Sequence, residues 1–348
     1  MGARKFGLPN GDRISISIAM ATHNGASYLR EQLESLSKQT VLPDELVVCD
    51  DGSSDETSSI FADFASTAPF PVRVEQNLHP LGYRANFLKV ANLAKSDLIA
   101  FCDQDDIWLP SKLAACLGLF NEHKEVLLAY HNASVVTGTL EPIGSLKDRK
   151  PPHRFNRPQS IDPWRYGLGF TMVFRRILLD FSDLWPESAH SFAIDQPEAH
   201  DQWFYFLASS LGTIAYIKEP LALYRQHGKN LFGWNDKPSF RRRIDKIRMP
   251  TARGLNTRAL MARKRAAILD QIAGRGGEYR SRAASAAVGY RKLEQNLRGR
   301  QEIYLATKTV SKVSCLVVAV VSGAYRSPRH WGTGLESILS DILQVIHP

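Results

Sequence analysis

The sequence predicts an α/β fold with a mostly parallel central sheet, followed by a basic and mainly α-helical C-terminal region. Short apolar runs alternate with amphipathic stretches over the first half of the chain, as in proteins that alternate strands and helices. Within the runs, apolar and polar residues do not alternate, which is typical of strands covered on both faces. Charge also changes along the 348 residues. The chain has a net charge of +9, yet residues 231–348 alone hold 22 Lys and Arg against 8 Asp and Glu.

Apolar and β-branched runs predict five strands in the first 137 residues. The predicted strands are Ile14–Met20, Glu45–Cys49, Pro71–Val74, Asp97–Cys102 and Val126–Tyr130. Apolar residues three or four positions apart predict helices between them. The predicted helices contain residues 28–36, 60–64, 86–94 and 110–120.

The alternation weakens after about residue 138. Residues 138–163 contain Gly, Pro and basic residues and are predicted to form a loop. Three further strands and one helix are then predicted. They are Phe170–Phe174, Thr213–Ile217 and Leu221–Tyr224 for the strands, and Asp201–Leu211 for the helix.

We divide the chain into two regions on these patterns. Residues 1–230 are predicted to form the α/β domain, with halves at about 14–137 and 138–230. Residues 231–348 are predicted to form the basic helical region.

Composition excludes several classes of protein. The four cysteines are scattered and form no CxxC pair, so neither a disulfide framework nor a zinc knuckle is expected. The N-terminus lacks the apolar core of a signal peptide, and we expect a cytoplasmic protein with reduced thiols. No GxxxxGK[ST] loop and no GxGxxG sequence opens a helix, which argues against a P-loop enzyme or an ordinary dehydrogenase.

Polar clusters follow three of the predicted strands. Thr22-His23-Asn24 follows the first, Asp50-Asp51 the second, and Asp103-Gln104-Asp105-Asp106 the fourth. One acidic turn alone would be read as a helix cap. Ligands of open parallel sheets bind outside the carboxyl ends of the strands, so three such clusters are expected to converge on one crevice.

Several carboxylates in one crevice repel one another, and a divalent cation would relieve that repulsion. Hard oxygen ligands suit Mg²⁺ or Mn²⁺, ions that usually bridge protein carboxylates to substrate phosphates. The clusters therefore predict a metal-bridged phosphate ligand.

Three motifs together resemble the family 2 glycosyltransferases of GT-A fold. They are ISIAMATHNG, VVCDDGSSDET and IAFCDQDDIWLPSKL, and the resemblance covers roughly residues 14–230. The finer pattern resembles the rhamnosyltransferase-like branch of the family. It consists of LGYRANF, the DQDDIW segment, GFTMVFRR, HDQWF and EPLALYRQHGKN in that order.

The resemblance implies an inverting transfer from a nucleotide-diphospho-sugar and assigns residues to the donor and its metal. It places Thr22, Asn24, Asp50, Asp51, Asp103 and Gln104 around the nucleotide-sugar, with Asp103 facing ribose or metal. Asp105 would ligate the metal, and His227 would meet the metal or the departing diphosphate. The family often has a basic residue just before the Asn of LGYRANF. Here Ala85 occupies that position and Arg84, the implied phosphate contact, lies one place earlier.

On the acceptor side, the resemblance implies that Asp201 of HDQWF is the catalytic base. The local alternative is an N-cap aspartate, and one residue can serve both purposes. Asp106 and Trp108 would position the acceptor or its loop. Trp203 would either stack on the acceptor sugar or pack in the core.

The basic C-terminal region has three possible interpretations. Its densest stretch holds Arg241–Arg243, Lys246, Arg248 and Arg263–Arg265. A solvated helix face and association with anionic lipid headgroups both stay open, whereas nucleic-acid binding lacks a module or interleaved aromatic residues. Val313–Ala324 is apolar but spans only 12 residues, too few to cross a bilayer.

These observations predict an inverting, metal-dependent glycosyltransferase that builds a cell-surface polysaccharide or extends a lipid-linked acceptor, with rhamnose or another deoxyhexose as the preferred sugar. Two alternatives are retained. One is a hexosyltransferase of the same family that uses a UDP-sugar, and the other is a catalytically silent nucleotide- or glycan-binding protein. The predicted location is cytoplasmic, with the inner face of the plasma membrane as a possible site of peripheral attachment.

Overall fold

A computed structural model describes residues 14–146, 151–164, 167–190, 194–228, 230, 251–327 and 332–346. The strands are β1 (Ile16–Thr22), β2 (Glu45–Asp50), β3 (Val72–Gln76), β4 (Leu98–Cys102), β5 (Ile107–Trp108), β6 (Val126–Thr137), β7 (Pro142–Ser145), β8 (Phe155–Asn156), β9 (Met172–Arg175) and β10 (Thr213–Gln226). The α-helices are α1 (Ala26–Ser37), α2 (Thr57–Thr67), α3 (Tyr83–Leu93), α4 (Lys112–Glu122), α5 (His200–Leu211), α6 (Ala252–Gly274), α7 (Arg280–Leu305), α8 (Thr309–Val321) and α9 (Leu335–Ile346). Two 3-10 segments cover Gly169–Thr171 and Arg176–Glu187.

The described strands form one sheet in the order β3-β2-β1-β4-β9-β6-β10-β5. The pairings β1–β2, β2–β3, β1–β4 and β6–β10 are parallel, and they are the longer ones. The antiparallel pairings, such as β4–β9 and β6–β9, extend over two or three residues each. The prediction of an α/β fold with a mostly parallel sheet is thus confirmed.

The central strands of the sheet are buried on both faces, whereas the edge strand β3 is largely exposed. Every residue of β1 and of β4 is buried. On one face the core contains Leu29 of α1 and Phe61 of α2. On the other it contains Phe87 of α3 and Phe204 of α5. This covering leaves the strand ends as the places where polar side chains can collect.

Several elements after residue 125 differ from the prediction. β6 continues to Thr137, and the predicted loop of residues 138–163 contains the short strands β7 and β8. A single strand, β10, replaces the two strands predicted between residues 213 and 224, with register shifts on either side of Pro220. A proline cannot donate to the ladder, so a bulge there lets the strand continue past it.

The helical C-terminal region is confirmed for the described residues. α6 and α7 pack along each other, and a turn containing Gly276 and Gly277 joins them, with φ of 78° and 74°. Their apolar residues, including Ile268 and Tyr290, lie in the same core cluster as Phe204 of α5. Within the part of the chain described, none of the helices combines the length and apolar character needed to cross a membrane.

The basic stretch is only partly a solvated face. Arg241–Arg243, Lys246 and Arg248 lie outside the described residues. Arg263 is exposed, whereas Arg265 is buried and its Nε lies 2.7 Å from Glu198 Oε1. Arg265 therefore cannot contact a lipid headgroup, and neither the solvated-face nor the lipid interpretation applies to this residue.

Candidate active site

The three polar clusters meet at one edge of the sheet, as predicted. Thr22 at the end of β1 pairs with Asp50 at the end of β2. On the other side of β1, Met20 pairs with Cys102, the last residue of β4, so Asp103 begins the next loop at the same edge. The carboxyl ends of three neighbouring parallel strands form the crevice in which open α/β sheets bind ligands.

Gln104 ties the loop after β4 to the loop after β1. Its Oε1 accepts hydrogen bonds from Thr22 Oγ1 at 2.7 Å and from the His23 amide at 2.8 Å, and its Nε2 donates to the His23 carbonyl at 3.1 Å. A Cβ at Gly25 would lie 2.6 Å from Gln104 Oε1. Glycine is required there because the Gln104 amide occupies the space of a side chain.

The loops after β1 and β2 are also tied together. Asn24 has a φ of +48°, a conformation that asparagine tolerates better than most residues. Its Oδ1 accepts from the Ser54 amide at 2.9 Å, and its own amide donates to Ser53 Oγ at 2.8 Å. Asp50 accepts from the Ser53 amide at 3.1 Å. The predicted nucleotide residues Asn24 and Asp50 therefore share one hydrogen-bonded turn.

Asp51 has a structural task that the sequence did not reveal. Its carboxylate accepts from Asn77 Nδ2, the Leu81 amide and the Gly82 amide at 2.7–2.8 Å. The side chain is only 5% exposed. Through these three hydrogen bonds, Asp51 holds the loop that leads into α3. A contact between Asp51 and the nucleotide stays a prediction.

Asp103, Asp105 and Asp201 form the acidic part of the site. Burial raises the pKa of the Asp103 carboxyl well above its usual range, and the charges of Asp105 and Asp201 raise it further. Asp201 lies 98 residues beyond Asp103 in sequence but within electrostatic reach of it. The fold thus brings the predicted base to the carboxylates of the loop after β4.

Asp201 lies in the first turn of α5, whose N-cap is Ala199. The N-cap alternative is therefore wrong by two positions. The Oδ1 atom of Asp201 accepts a hydrogen bond from the Gln202 backbone amide at 2.8 Å. A carboxylate in the first turn is stabilised by the helix dipole.

The side chain of His227 contacts Asp105, the residue that the resemblance assigns to the metal. Its Nε2 lies 2.9 Å from Asp105 Oδ2. The imidazole stacks on Tyr28, with the ring centroids 4.5 Å apart. Lys229, from the same segment, lies outside the described residues.

Arg225 is a residue of this site that the sequence analysis missed. It is 2% exposed, and its guanidinium donates to the Asp105 and Gly138 carbonyls, both at 2.9 Å. It also pairs with Glu31 and lies over the Tyr28 ring. The EPLALYRQHGKN segment contained this arginine, but its partners are distant in sequence.

Asp106 and Trp108 are buried, which favours the loop alternative over direct contact with an acceptor. Both are 1% exposed. Asp106 Oδ1 accepts from the Arg225 amide at 3.0 Å, which fixes the end of β10.

The ammonium of Lys112 lies 3.3 Å from the centroid of the Trp108 ring and donates to the Phe170 carbonyl at 2.6 Å. Burial lowers the pKa of Lys112 to about 7.

Trp203 also belongs to the core. It is completely buried and packs against Phe206, with ring centroids 5.7 Å apart. The core alternative is therefore the correct one of the two considered for this residue. The guanidinium of Arg84 donates to Gln196 Oε1 and lies over the Tyr83 ring, and its contact with a phosphate stays a prediction.

The donor set at this edge fits a hard divalent cation. Asp103 and Asp105 supply carboxylate oxygens and His227 supplies an imidazole nitrogen, ligands suited to Mg²⁺ or Mn²⁺. Among the described residues, no group of three such side chains is close enough to form a complete site. A partial protein site is typical of Mg²⁺ bound by one or two carboxylates together with substrate phosphates.

Comparison with known families gives a match over the first half of the chain. Residues 17–180 match the family described as glycosyl transferase family 2. This range includes β1 to β9 and the donor-side residues named above, but not Asp201 or His227.

Curated relatives extend the similarity further. An uncharacterized protein of Mycobacterium tuberculosis (strain ATCC 25618 / H37Rv) is 27% identical over 234 residues, which is 66% of this chain and 63% of that protein. The chain thus spans less than two thirds of that relative's length. The dTDP-rhamnosyl transferase RfbG of Shigella flexneri is 28% identical over 236 residues, 62% of this chain and 74% of that protein.

Solved structures are more distant. The S. aureus TarS fragment 1–349 in complex with UDP-GlcNAc has a TM-score of 0.49 and 17% sequence identity. The match covers 90% of this chain and 91% of that one.

Proposed function

We propose that this chain, whose residues 17–180 match glycosyl transferase family 2, transfers a sugar from a nucleotide-diphospho-sugar to a hydroxyl group with inversion at the anomeric carbon. One observation carries this proposal. Asp201, from a helix beyond the family match, lies within electrostatic reach of Asp103 in the loop after β4. A nucleotide-binding fold alone has no need of that third carboxylate.

In this reaction the anomeric C–O bond breaks while the acceptor oxygen attacks the opposite face of the sugar. Asp201 accepts the proton of the acceptor hydroxyl on its carboxylate. An aspartate of ordinary pKa is a weak base for a resting hydroxyl, but the hydroxyl becomes acidic as the new bond forms. General-base assistance of this kind contributes about 10²–10⁴-fold to the rate.

Asp105 and His227 would hold Mg²⁺ or Mn²⁺ as a partial protein site, and Asp103 would face the ribose or the metal. A bound cation would supply Lewis-acid stabilisation of the charge that develops on the departing diphosphate. The chain's own residues prepare the site. Arg225 fixes the Asp105 carbonyl, and Gln104 joins the loops on which donor contacts depend.

We propose a deoxyhexose, with rhamnose preferred, as the transferred sugar, and a growing surface polysaccharide or lipid-linked saccharide as the acceptor. The similarity to dTDP-rhamnosyl transferase RfbG supports the choice of sugar, together with the motif order given above. A UDP-hexose donor is the alternative, and a nucleotide-sugar screen in the presence of Mn²⁺ separates the two. A correct donor raises the melting temperature by mass action.

The decisive experiment replaces Asp201 by Asn. The variant keeps the shape of the side chain and loses only the interaction of a charge with the helix dipole, worth about 0.3–1 kcal/mol. We expect a nearly unchanged melting temperature, unchanged donor affinity and a kcat lower by about 10²–10⁴-fold. Asp180→Asn, at an exposed position, is the matched control and should leave kcat unchanged.

A kcat within tenfold of wild type for Asp201→Asn would remove this residue from the mechanism. If the wild-type protein binds nucleotide-sugars but transfers no sugar to any acceptor tested, the silent binding protein becomes the better description.

A further inference from the structure

The outward sides of the helices α8 and α9 are largely apolar, and buried polar side chains lie among the apolar ones on their inward sides. α8 buries Lys312 and Ala319, while six valines between Val310 and Val321 are exposed. α9 buries Ser340, Asp341 and Val345. Its exposed residues are Glu336 and four large apolar ones, Leu335, Leu339, Leu343 and Ile346. A surface helix of a water-soluble protein normally shows the opposite pattern.

The inward side chains of Asp341 and Lys312 have hydrogen-bond partners, so their burial between the helices is consistent with this packing. Arg300 of α7 binds Asp341 with two hydrogen bonds of 2.6 and 2.8 Å. The hydroxyls of Tyr304 and Tyr325 donate to the same carboxylate at 2.7 and 2.6 Å. Lys312 Nζ donates to the Gln344 carbonyl at 3.3 Å. This network holds α8 and α9 to α7 and turns their aliphatic sides outward.

We propose that the outward aliphatic face of α8 and α9 inserts into the interfacial region of an anionic lipid bilayer. The face continues over two packed helices, and Val321 is 80% and Leu335 77% exposed. Isolated exposed apolar residues are ordinary, whereas a contiguous patch indicates a binding surface.

Composition favours lipid over a second copy of the chain as the occupant. The exposed large apolar residues of α8 and α9 are Val, Leu and Ile. Protein interfaces are instead centred on Trp, Tyr and Arg anchors, none of which is on this face among the described residues. Featureless aliphatic side chains are suited to a fluid hydrocarbon phase that needs no shape complementarity.

The length of α8 and the charged residues beside it indicate how the aliphatic face binds to the bilayer. Thirteen residues of α8 make a helix of about 20 Å, shorter than the ~30 Å hydrocarbon core, so the helices lie in the interface and do not cross it. Exposed Lys308 and Arg326 flank α8 at its two ends, where their cations can reach phosphate headgroups. The net positive charge of residues 231–348 adds attraction to an anionic surface.

The test is flotation of the full chain with vesicles of POPC mixed with POPG, and of POPC alone. The variant Val317→Gln/Val321→Gln/Leu339→Gln changes three exposed residues of the face. The matched control, Ile143→Gln/Ile177→Gln/Val288→Gln, changes three exposed aliphatic residues elsewhere. Circular dichroism and the melting temperature establish that both variants are folded.

We expect the wild type and the control to float with POPC/POPG vesicles, and the face variant to have a partition coefficient lower by about tenfold or more. Added salt should weaken wild-type binding without abolishing it, because salt screens charges but not acyl contacts.

Wild type that stays unbound at low ionic strength would overturn the proposal, as would a face variant that floats like wild type. Sedimentation without vesicles addresses the competing occupant. A concentration-dependent dimer that the face variant abolishes, together with absent flotation, would assign the face to a second copy. None of these measurements depends on sugar transfer, so the proposed function can fail independently.

Discussion

Replacing Arg225 by Met should destabilise the protein and weaken nucleotide binding together. The guanidinium is buried and donates to two carbonyls, those of Asp105 and Gly138. Methionine fills a similar volume but donates nothing. Leaving a buried acceptor without its donor costs about 1–3 kcal/mol per group, so we expect a loss of about 3–5 kcal/mol in the free energy of unfolding.

Two further variants separate charge from geometry at this position. Glu31 is 53% exposed at its side chain, so Glu31→Gln breaks a largely hydrated ion pair and should cost no more than about 1 kcal/mol. Arg225→Lys keeps the positive charge but loses the planar fork that reaches several acceptors. Its loss of stability should lie between those of the other two variants.

Urea unfolding monitored by tryptophan fluorescence gives the three free energies. Isothermal titration with a nucleoside diphosphate and Mn²⁺ gives the affinity, which should fall for Arg225→Met because Asp105 is no longer held. The reasoning is refuted if Arg225→Met unfolds within about 1 kcal/mol of wild type, or if Glu31→Gln is as damaging as the loss of the arginine.

Two more predictions concern buried contacts near the site. Burial lowers the pKa of His200 from 6.5 to about 3. Between these two pH values the imidazole is protonated in the unfolded chain but neutral in the folded one. Stability is therefore lost as pH falls from 6.5, by up to about 1.4 kcal/mol per pH unit. His200→Leu should lose about 2 kcal/mol less than wild type between pH 7 and pH 5, and equal losses in urea titrations would contradict this. Gly25→Ala should cost about 1–3 kcal/mol, because the new Cβ would lie 2.6 Å from Gln104 Oε1. Adding Gln104→Ala should cost less than the sum of the two single changes, whereas strict additivity in thermal melts would argue against a clash.

The site was predictable from sequence where local pattern alone determines position. Thr22, Asp50 and Asp103 each follow an apolar run, and parallel strands place the ends of such runs at one edge. The helices around residues 28–36 and 110–120 followed from apolar spacing.

Side-chain direction was not predictable in the same way. Trp108 and Trp203 have amphipathic side chains that suit a sugar-binding surface or a core equally well, and only the packing of α4 and α5 decides between them. Arg225 was missed for a related reason. Its partners Glu31, Asp105 and Gly138 lie 87 to 194 residues away in the chain, and no local pattern records contacts over such separations.

The C-terminal helices also contribute to the position of the proposed base. Glu198, fully buried just before α5, accepts from Arg265 of α6 at 2.7 Å, and Arg265 also donates to the Pro163 carbonyl at 2.7 Å. The Glu198 carbonyl accepts from the Trp185 indole at 2.9 Å. Breaking a buried pair by removing one partner leaves an uncompensated charge, so α6 fixes the segment from which α5 and Asp201 begin. A chain truncated before α6 would lose this anchor, and with it the defined approach of Asp201 to the carboxylates after β4. The helical region therefore helps to position the proposed base, while its far end, α8 and α9, presents the aliphatic face.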